Sequence, residues 1–370
     1  MWKGTKTMKN RCYLDVHVLQ TVPPSCVNRD DTGSPKTAIY GGTTRARVSS
    51  QAWKHAMREM FREELIEPDM LGMRTKNVIS MVAEEILKLN PDAKAAELAE
   101  KVLTSAGVKF KDDKKAETKD KKGETKDKKA EALFFMSAAQ AKALAEIAVS
   151  EGTADKDACK KALKNNPSVD IALFGRMVAS EATLNCDASA QVAHSISTHT
   201  VQNEYDYFTA VDDLAPEDNT GAGHLGTVEF NSSTLYRYAT VNLVELANAL
   251  GKQVTAETAA KFVEAFVRSM PTGKQNTFAN RTLPSMVYVT IRRDQPVNLC
   301  GAFEKPVSAK NGGYSEESEK KFVEYANKVY GKYASAPDCE FAVGEAVGNL
   351  EECKCMSLDR LLESVAECVK

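Results

Sequence analysis

Between Thr32 and Arg58 the chain runs for 27 residues without an Asp or Glu, although the whole sequence holds 51 of them. The same window carries Lys36, Arg45, Arg47, Lys54 and Arg58, the pair Gly41-Gly42 and several hydroxyls. Glycines let backbone amides approach an anion closely, and a capped helix start turns its positive dipole end toward the same charge. In extended chain Arg45 and Arg47 are expected to point the same way, and on a helix Lys54 and Arg58 stand one turn apart. Such a strip suits a phosphate backbone. By composition, nucleic acid, a phosphorylated small molecule and a plain solvated surface all stay open. Just upstream, Asp30 and Asp31 offer adjacent carboxylates for a divalent metal, although consecutive side chains in an extended loop diverge. The sequence has no P-loop, GxGxxG, HExxH or GxSxG, which removes the common signatures of metabolic enzymes.

The elements that must position these residues are legible in outline. Residues 11–22 alternate, with Leu14, Val16 and Val18 against Asp15 and His17, and predict a half-buried strand with one polar face. The following Pro-, Gly-, Asn- and Thr-rich stretch to Arg47 is expected as an extended functional loop. Ser49 or Ser50 can cap a helix that puts Trp53, Met57, Met60, Phe61 and Leu65 on one side. Gln51, Lys54, His55, Arg58 and Arg62 fall on the other.

From 66 to 165 the text is helical, interrupted at 109–130 by ten lysines and six acids with ETKDKK repeated. That tract has no apolar partner positions and is expected to be disordered. A helix is predicted at roughly 188–198, a long hairpin at 200–230, and strands at 234–241 and 285–292. Helices are expected near 243–250, 255–270, 315–334 and 357–368. Sparse strands separated by helices indicate an α+β fold.

The chain has 370 residues, a net charge of −2 and a pI near 6.3, so any basic site must be local. No apolar run approaches the roughly 18 residues needed to cross a bilayer. Lys3, Lys6 and Lys9 are followed by no apolar segment, so no signal peptide is expected, and Met8 offers an alternative start. The nine cysteines form no CxxC pair and read as reduced cytoplasmic thiols.

Several blocks then carry a resemblance: NRDD (28–31), AIYGG (38–42), RxRVSSQxxKxAMR (45–58), VDIALFGRM (169–177), HSISTHTVQNEYDYFTAVDDL (194–214) and HLGTVEF (224–230). In this order they resemble the CasC family, the crRNA-binding backbone subunit of type I-E CRISPR Cascade. AFEK at 302–305 is compatible with it. The resemblance implies a modified RRM (ferredoxin-like) palm over 11–65 and 166–370, a helical fingers insertion over 66–165 and a thumb hairpin near 200–230.

It also implies several copies stacked as a filament along a guide RNA, with intervening bases left to pair with target DNA, other Cascade subunits as partners, and antiviral defence as the role. Pairing then reads sequence while protein grips backbone. Carried over by position, Arg29, Lys36, Arg45, Arg47, Ser49, Gln51, Lys54 and Arg58 grip guide phosphates, and Arg176 supports a kinked backbone. Met177, Phe208 and Thr209 pack at a displaced nucleotide, and His224 and Leu225 lie on the thumb's return arm. No catalytic residue, metal, cofactor or membrane contact is implied. The competing class is the metal-dependent RNA endonuclease backbone of type III complexes, with Asp30 and Asp31 as its carboxylates. Thr43-Thr44 stand where relatives are more basic, and the lysine-rich tract is not a family hallmark.

Overall fold

A computed structural model describes residues 11–111, 128–150, 155–210, 213–214, 224–309, 312–344, 347, 350 and 354–370, with the backbone alone at His224, Lys354 and Cys355. The chain divides into two compact units: residues 1–60, 192–240 and 259–369, and residues 61–191, 241–258 and 370. The second unit is wider than the 66–165 span expected from sequence.

The first unit is built on a mainly antiparallel sheet. Strand β1 (Tyr13–Ser25) lies at its centre, between Met286–Arg292 on one side and His224–Asn242 on the other. Beyond Met286–Arg292 come Cys339–Val343 and Lys354–Cys355. Beyond His224–Asn242 come Ser195–Ser197, then β3 (Thr43–Val48) and β2 (Thr37–Tyr40). The α+β reading and the RRM-like palm are borne out, with two further strands near the C-terminus that the sequence reading missed.

The central strand is a correction. Instead of one wet face, Leu14 to Gln20 are buried throughout. Its polar alternates are absorbed by neighbours: Tyr238 Oη donates to Asp15 Oδ1 at 2.9 Å, Val297 N donates to Asp15 Oδ2 at 2.8 Å, and Tyr236 Oη lies 2.8 Å from His17 Nδ1. The helix Ser315–Tyr330 covers this side, bringing Phe322 within 5.5 Å of the His17 ring. A period of two therefore marked two chemistries, both buried. Partnered polar groups can be buried at little net cost.

Residues 188–198, expected as a helix, contribute the strands Ala190–Val192 and Ser195–Ser197. Ser195 and Ile196 pair with Val48 and Arg47 of β3. Ladder partners on both sides outweighed the helical text, as tertiary context commonly does for short segments. The stretch expected as an extended loop likewise holds the β2–β3 hairpin, with Tyr40 opposite Thr43 and Gly41 and Gly42 at positive φ between them. Two consecutive left-handed residues are what a tight hairpin of this hand demands.

In the second unit, helices Val78–Leu89, Ala95–Ser105, Ala138–Ser150 and Lys156–Lys164 enclose Val82, Ile86, Leu103, Leu144 and Leu163. Asp155 caps the last of these by accepting from Asp157 N. Most of the lysine-rich tract, 112–127, lies outside the described residues. Its ends are ordered, against expectation: Phe110 and Lys111 pair with Ala130 and Lys129, and Lys128 reaches Glu100 at 2.7 Å. The pairing between Gly72–Thr75 and Phe134–Ser137 was also not foreseen.

The cysteine reading needs one correction. Cys339 and Cys368 are joined as a disulfide, because strand Cys339–Val343 packs beside helix Leu358–Val369. Cys12, Cys26, Cys159, Cys186 and Cys300 are free thiols. No helix among the described residues is long and apolar enough to cross a membrane.

Candidate nucleic-acid interface

The acid-free window folds as loop, hairpin and helix, each locked to the next by backbone bonds. Asn28 is the first lock: its Oδ1 accepts from Ser49 N at 2.9 Å, and its carbonyl accepts from Lys36 N at 2.8 Å. Asp30 is the second. Its Oδ1 accepts from Thr32 N, Thr32 Oγ1 and Ser34 N, bonds that hold this carboxyl below its ordinary pKa. The turn so formed brings Arg29 opposite Pro35 and leaves the Arg29 side chain exposed. Lys36 O then accepts from Arg47 N at 2.9 Å, which sets Lys36 beside β3.

Helix α1 (Ser50–Met60) starts from Ser49, whose carbonyl and hydroxyl accept from Trp53 N and Ala52 N. The two-sided pattern is as expected. Trp53, Met57 and Met60 are buried, while Gln51 and His55 are exposed and Lys54 and Arg58 half-exposed. Trp53 anchors the helix by donating from Nε1 to Ser195 Oγ at 2.9 Å. The Arg237 guanidinium lies 3.7 Å from its ring centroid, and burial pulls Arg237 down to about 9.

Arg47 half-emerges from β3. Its Nε donates to Thr37 O at 3.1 Å, and its Nη1 lies 3.1 Å from His194 Nδ1. The His194 imidazole is held below its ordinary pKa, by partial burial first and then by Arg47, Lys36 and Lys54. Arg47 thus contacts an exposed imidazole on which Lys36 and Lys54 also act. His194 was within reach of sequence reasoning, since HSISTHT follows the apolar block. The helical text of 188–198 hides it, because a helix would not set His194 beside β3.

Two arginines and a serine of the implied set are turned inward. Arg45 is 0% exposed: it donates to Ser197 O at 2.9 Å, Phe303 O at 3.0 Å, Glu304 O at 3.3 Å and Thr43 Oγ1 at 3.0 Å. Burial lowers its pKa, but carbonyl partners keep the cation tenable. It clamps the hairpin and cannot reach a phosphate. Ser49 is 6% exposed and caps α1.

In the second unit, Arg176 is buried too. Its donors go to Leu184 O, Phe135 O, Leu163 O and Gln140 Oε1 at 2.7–3.1 Å. It thereby fixes a turn, entered through Gly175 at φ 77°, that displays Met177 at 84% exposure. A core role for Met177 is excluded by that exposure.

The long hairpin lies where the sequence placed it. Glu204–Ala210 pairs with residues 224–230, with Phe208 opposite Gly226 and Thr209 opposite Leu225. All seven residues of Glu204–Ala210 are exposed, Phe208 at 42%, and Leu225 across the ladder at 60%. A methyl group on Gly226 would stand 2.4 Å from Phe208 Cζ, so the ring rests on the glycine. His224 contributes its backbone to the pairing with Ala210, and its side chain and the tip 215–223 lie outside the described residues. Among the described residues no three His, Cys, Asp or Glu side chains gather as a metal site.

With this geometry in hand, the chain can be set beside known proteins. No curated protein matches its sequence. A chain of a solved structure described as a "CRISPR RNA-guided surveillance complex, pre-nicking" is 30% identical and superimposes with a TM-score of 0.75, covering 97% of this chain and 100% of that one. A second, from a "CRISPR RNA-guided surveillance complex", is 25% identical with a TM-score of 0.61 over the same shares. The family model described as "CT1975-like protein" matches residues 14–370, in line with the resemblance carried by the sequence blocks. The chain belongs to the CT1975-like protein family.

Proposed function

We propose that this chain is a guide-RNA-binding backbone subunit of a CRISPR surveillance complex, acting in antiviral defence with other subunits of that complex. The observation that carries the reading is half-exposed Arg47, 3.1 Å from His194 Nδ1 and bonded through its N to Lys36 O, on a segment that also exposes Arg29 and Gln51. A strip of cations on hydrogen-bonded supports grips phosphates without reading bases. The hairpin Glu204–Ala210 with 224–230 offers exposed Phe208, Leu225, Tyr205 and Tyr207 to bases or to a neighbouring subunit. Such ring faces stack on bases with little sequence preference.

Several copies line one guide as a filament in the cytoplasm, and the free bases pair with target DNA. The chain has no catalytic role in this reading: Asp30 spends Oδ1 on three donors of its own loop, and Asp31 points from an exposed turn.

Filter binding of single-stranded RNA across a salt series tests the proposal. Affinity should fall with salt, with a log–log slope of about −0.7 for each phosphate neutralised. An affinity indifferent to salt would overturn it. Incubating the assembled complex with labelled RNA and Mg²⁺ should yield no cuts, and cleavage lost in Asp31→Ala would move the protein to the nuclease class.

A further inference from the structure

His194 stands where three elements of the sheet unit meet. Its neighbour Ser195 pairs with Val48 of β3 and receives the Trp53 Nε1 proton from α1. The loop closed by Asn28 delivers Lys36 through the Arg47 N to Lys36 O bond. The described charged groups that act on the imidazole are Arg47 from β3, Lys36 from the strand-entry loop and Lys54 from α1, with no carboxylate among them. An exposed histidine in contact with an arginine, with two lysines also acting on it, is an unfavourable place for a further positive charge.

The tautomer follows from chemistry. A guanidinium has no lone pair to offer, so Arg47 Nη1 donates and His194 Nδ1 accepts. The neutral ring therefore carries its proton on Nε2 and keeps the second nitrogen occupied by Arg47. When a phosphate arrives, it compensates the three cations and attracts the Arg47 guanidinium. Nδ1 is then free to take a proton from solvent, and the imidazolium becomes a fourth positive group facing the anion.

We propose that His194 is a proton-linked phosphate ligand, so that each protomer takes up a proton as it binds RNA. The inference rests on the RNA-binding reading above and deepens it: the grip tightens as the medium becomes more acidic. Linkage gives the sign. The free protein holds His194 below its ordinary value, and the bound phosphate raises it. Affinity therefore grows as pH falls through the bound-state value and levels off below the free-state value, by at most about tenfold per pH unit for one proton.

The test uses the full chain and a fluorescein-labelled oligouridylate, with anisotropy titrations between pH 7.5 and 5.5 at constant ionic strength. Wild type should bind about three- to tenfold more tightly at the acid end. His194→Gln should lose that pH dependence. His194→Arg, a permanent cation, should bind at pH 7.5 about as wild type does at pH 5.5. Calorimetry in two buffers of different ionisation enthalpy should show proton uptake in wild type and none in His194→Gln, a readout that a purely structural histidine would not move.

If RNA binds with the same pH profile in wild type and His194→Gln, the inference fails while the RNA-binding reading stands. If no variant binds RNA at any pH, both fall together.

Discussion

The two hairpins of the sheet unit are built on opposite plans. The β2–β3 hairpin is clamped from inside: Arg45 holds the carbonyls of Ser197, Phe303 and Glu304, and Tyr40 Oη donates to Cys300 O at 3.4 Å. Its turn sits so close to Glu304 that a Cβ on Gly41 would stand 1.7 Å from that carbonyl oxygen. The long hairpin is tied at its root, where Asn231 Nδ2 donates to Asn203 Oδ1 at 3.0 Å and Asn203 Nδ2 to Glu229 Oε2 at 3.3 Å. Beyond them both faces of Glu204–Ala210 are exposed. A two-stranded ladder without a buried face is marginal in isolation. The difference teaches that one hairpin is fixed from inside by its own chain, while the other leaves the residues of its first strand open.

The largest expected effect breaks the clamp. Arg45→Ala leaves buried carbonyls without donors and opens a void, and it should cost about 3 kcal/mol of stability, read as a lowered Tm in calorimetry. A Tm at the wild-type value would mean that Arg45 does not hold the β2–β3 hairpin.

Next, Lys36→Glu with Lys54→Glu should lower RNA affinity about a hundredfold and flatten the salt dependence, with circular dichroism unchanged. Retained affinity would mean that the fixed hairpin and its helix display a merely solvated face.

A smaller effect is expected on the other hairpin. Phe208→Ala should leave the stability within about 0.5 kcal/mol of wild type, because the ring rests on Gly226 and is 42% exposed. It should weaken RNA binding about tenfold through lost stacking. A large fall in Tm would show that this hairpin is packed by its own chain.

The smallest effect concerns the frame under both hairpins. Burial pushes Asp15 up to about 6, so its contribution is fully present below the unfolded value and is lost as pH rises through 6. Burial, helped by Arg292, pulls His17 down to about 3, so its contribution is lost as pH falls from the unfolded value through 3. Between pH 6 and 4 the two oppose each other. Thermal melts should therefore show Asp15→Asn losing stability with acid more steeply than wild type, and His17→Gln less steeply, by a few degrees. Parallel profiles in all three proteins would mean that neither group titrates differently on folding.

What could be read from residues alone follows from local physics. The missing acids between Thr32 and Arg58, the two-sided spacing of α1 and its cap at Ser49 depend on neighbours within a few positions, and the structure keeps each of them. So does the placing of a long hairpin near 200–230.

What only the tertiary structure decided is the fate of individual charges. Arg45 and Arg47 have the same chemistry two residues apart, yet one is enclosed by carbonyls from residues 197, 303 and 304 and the other opens toward His194. Arg176 is likewise absorbed by four remote partners, and residues 190–197 became strands because ladders awaited them. A guanidinium is tenable inside a protein wherever enough acceptors surround it, and those acceptors come from segments more than a hundred residues away in the chain of Arg45. Composition reports how many cations a segment carries, and only the fold reports which of them still face the solvent.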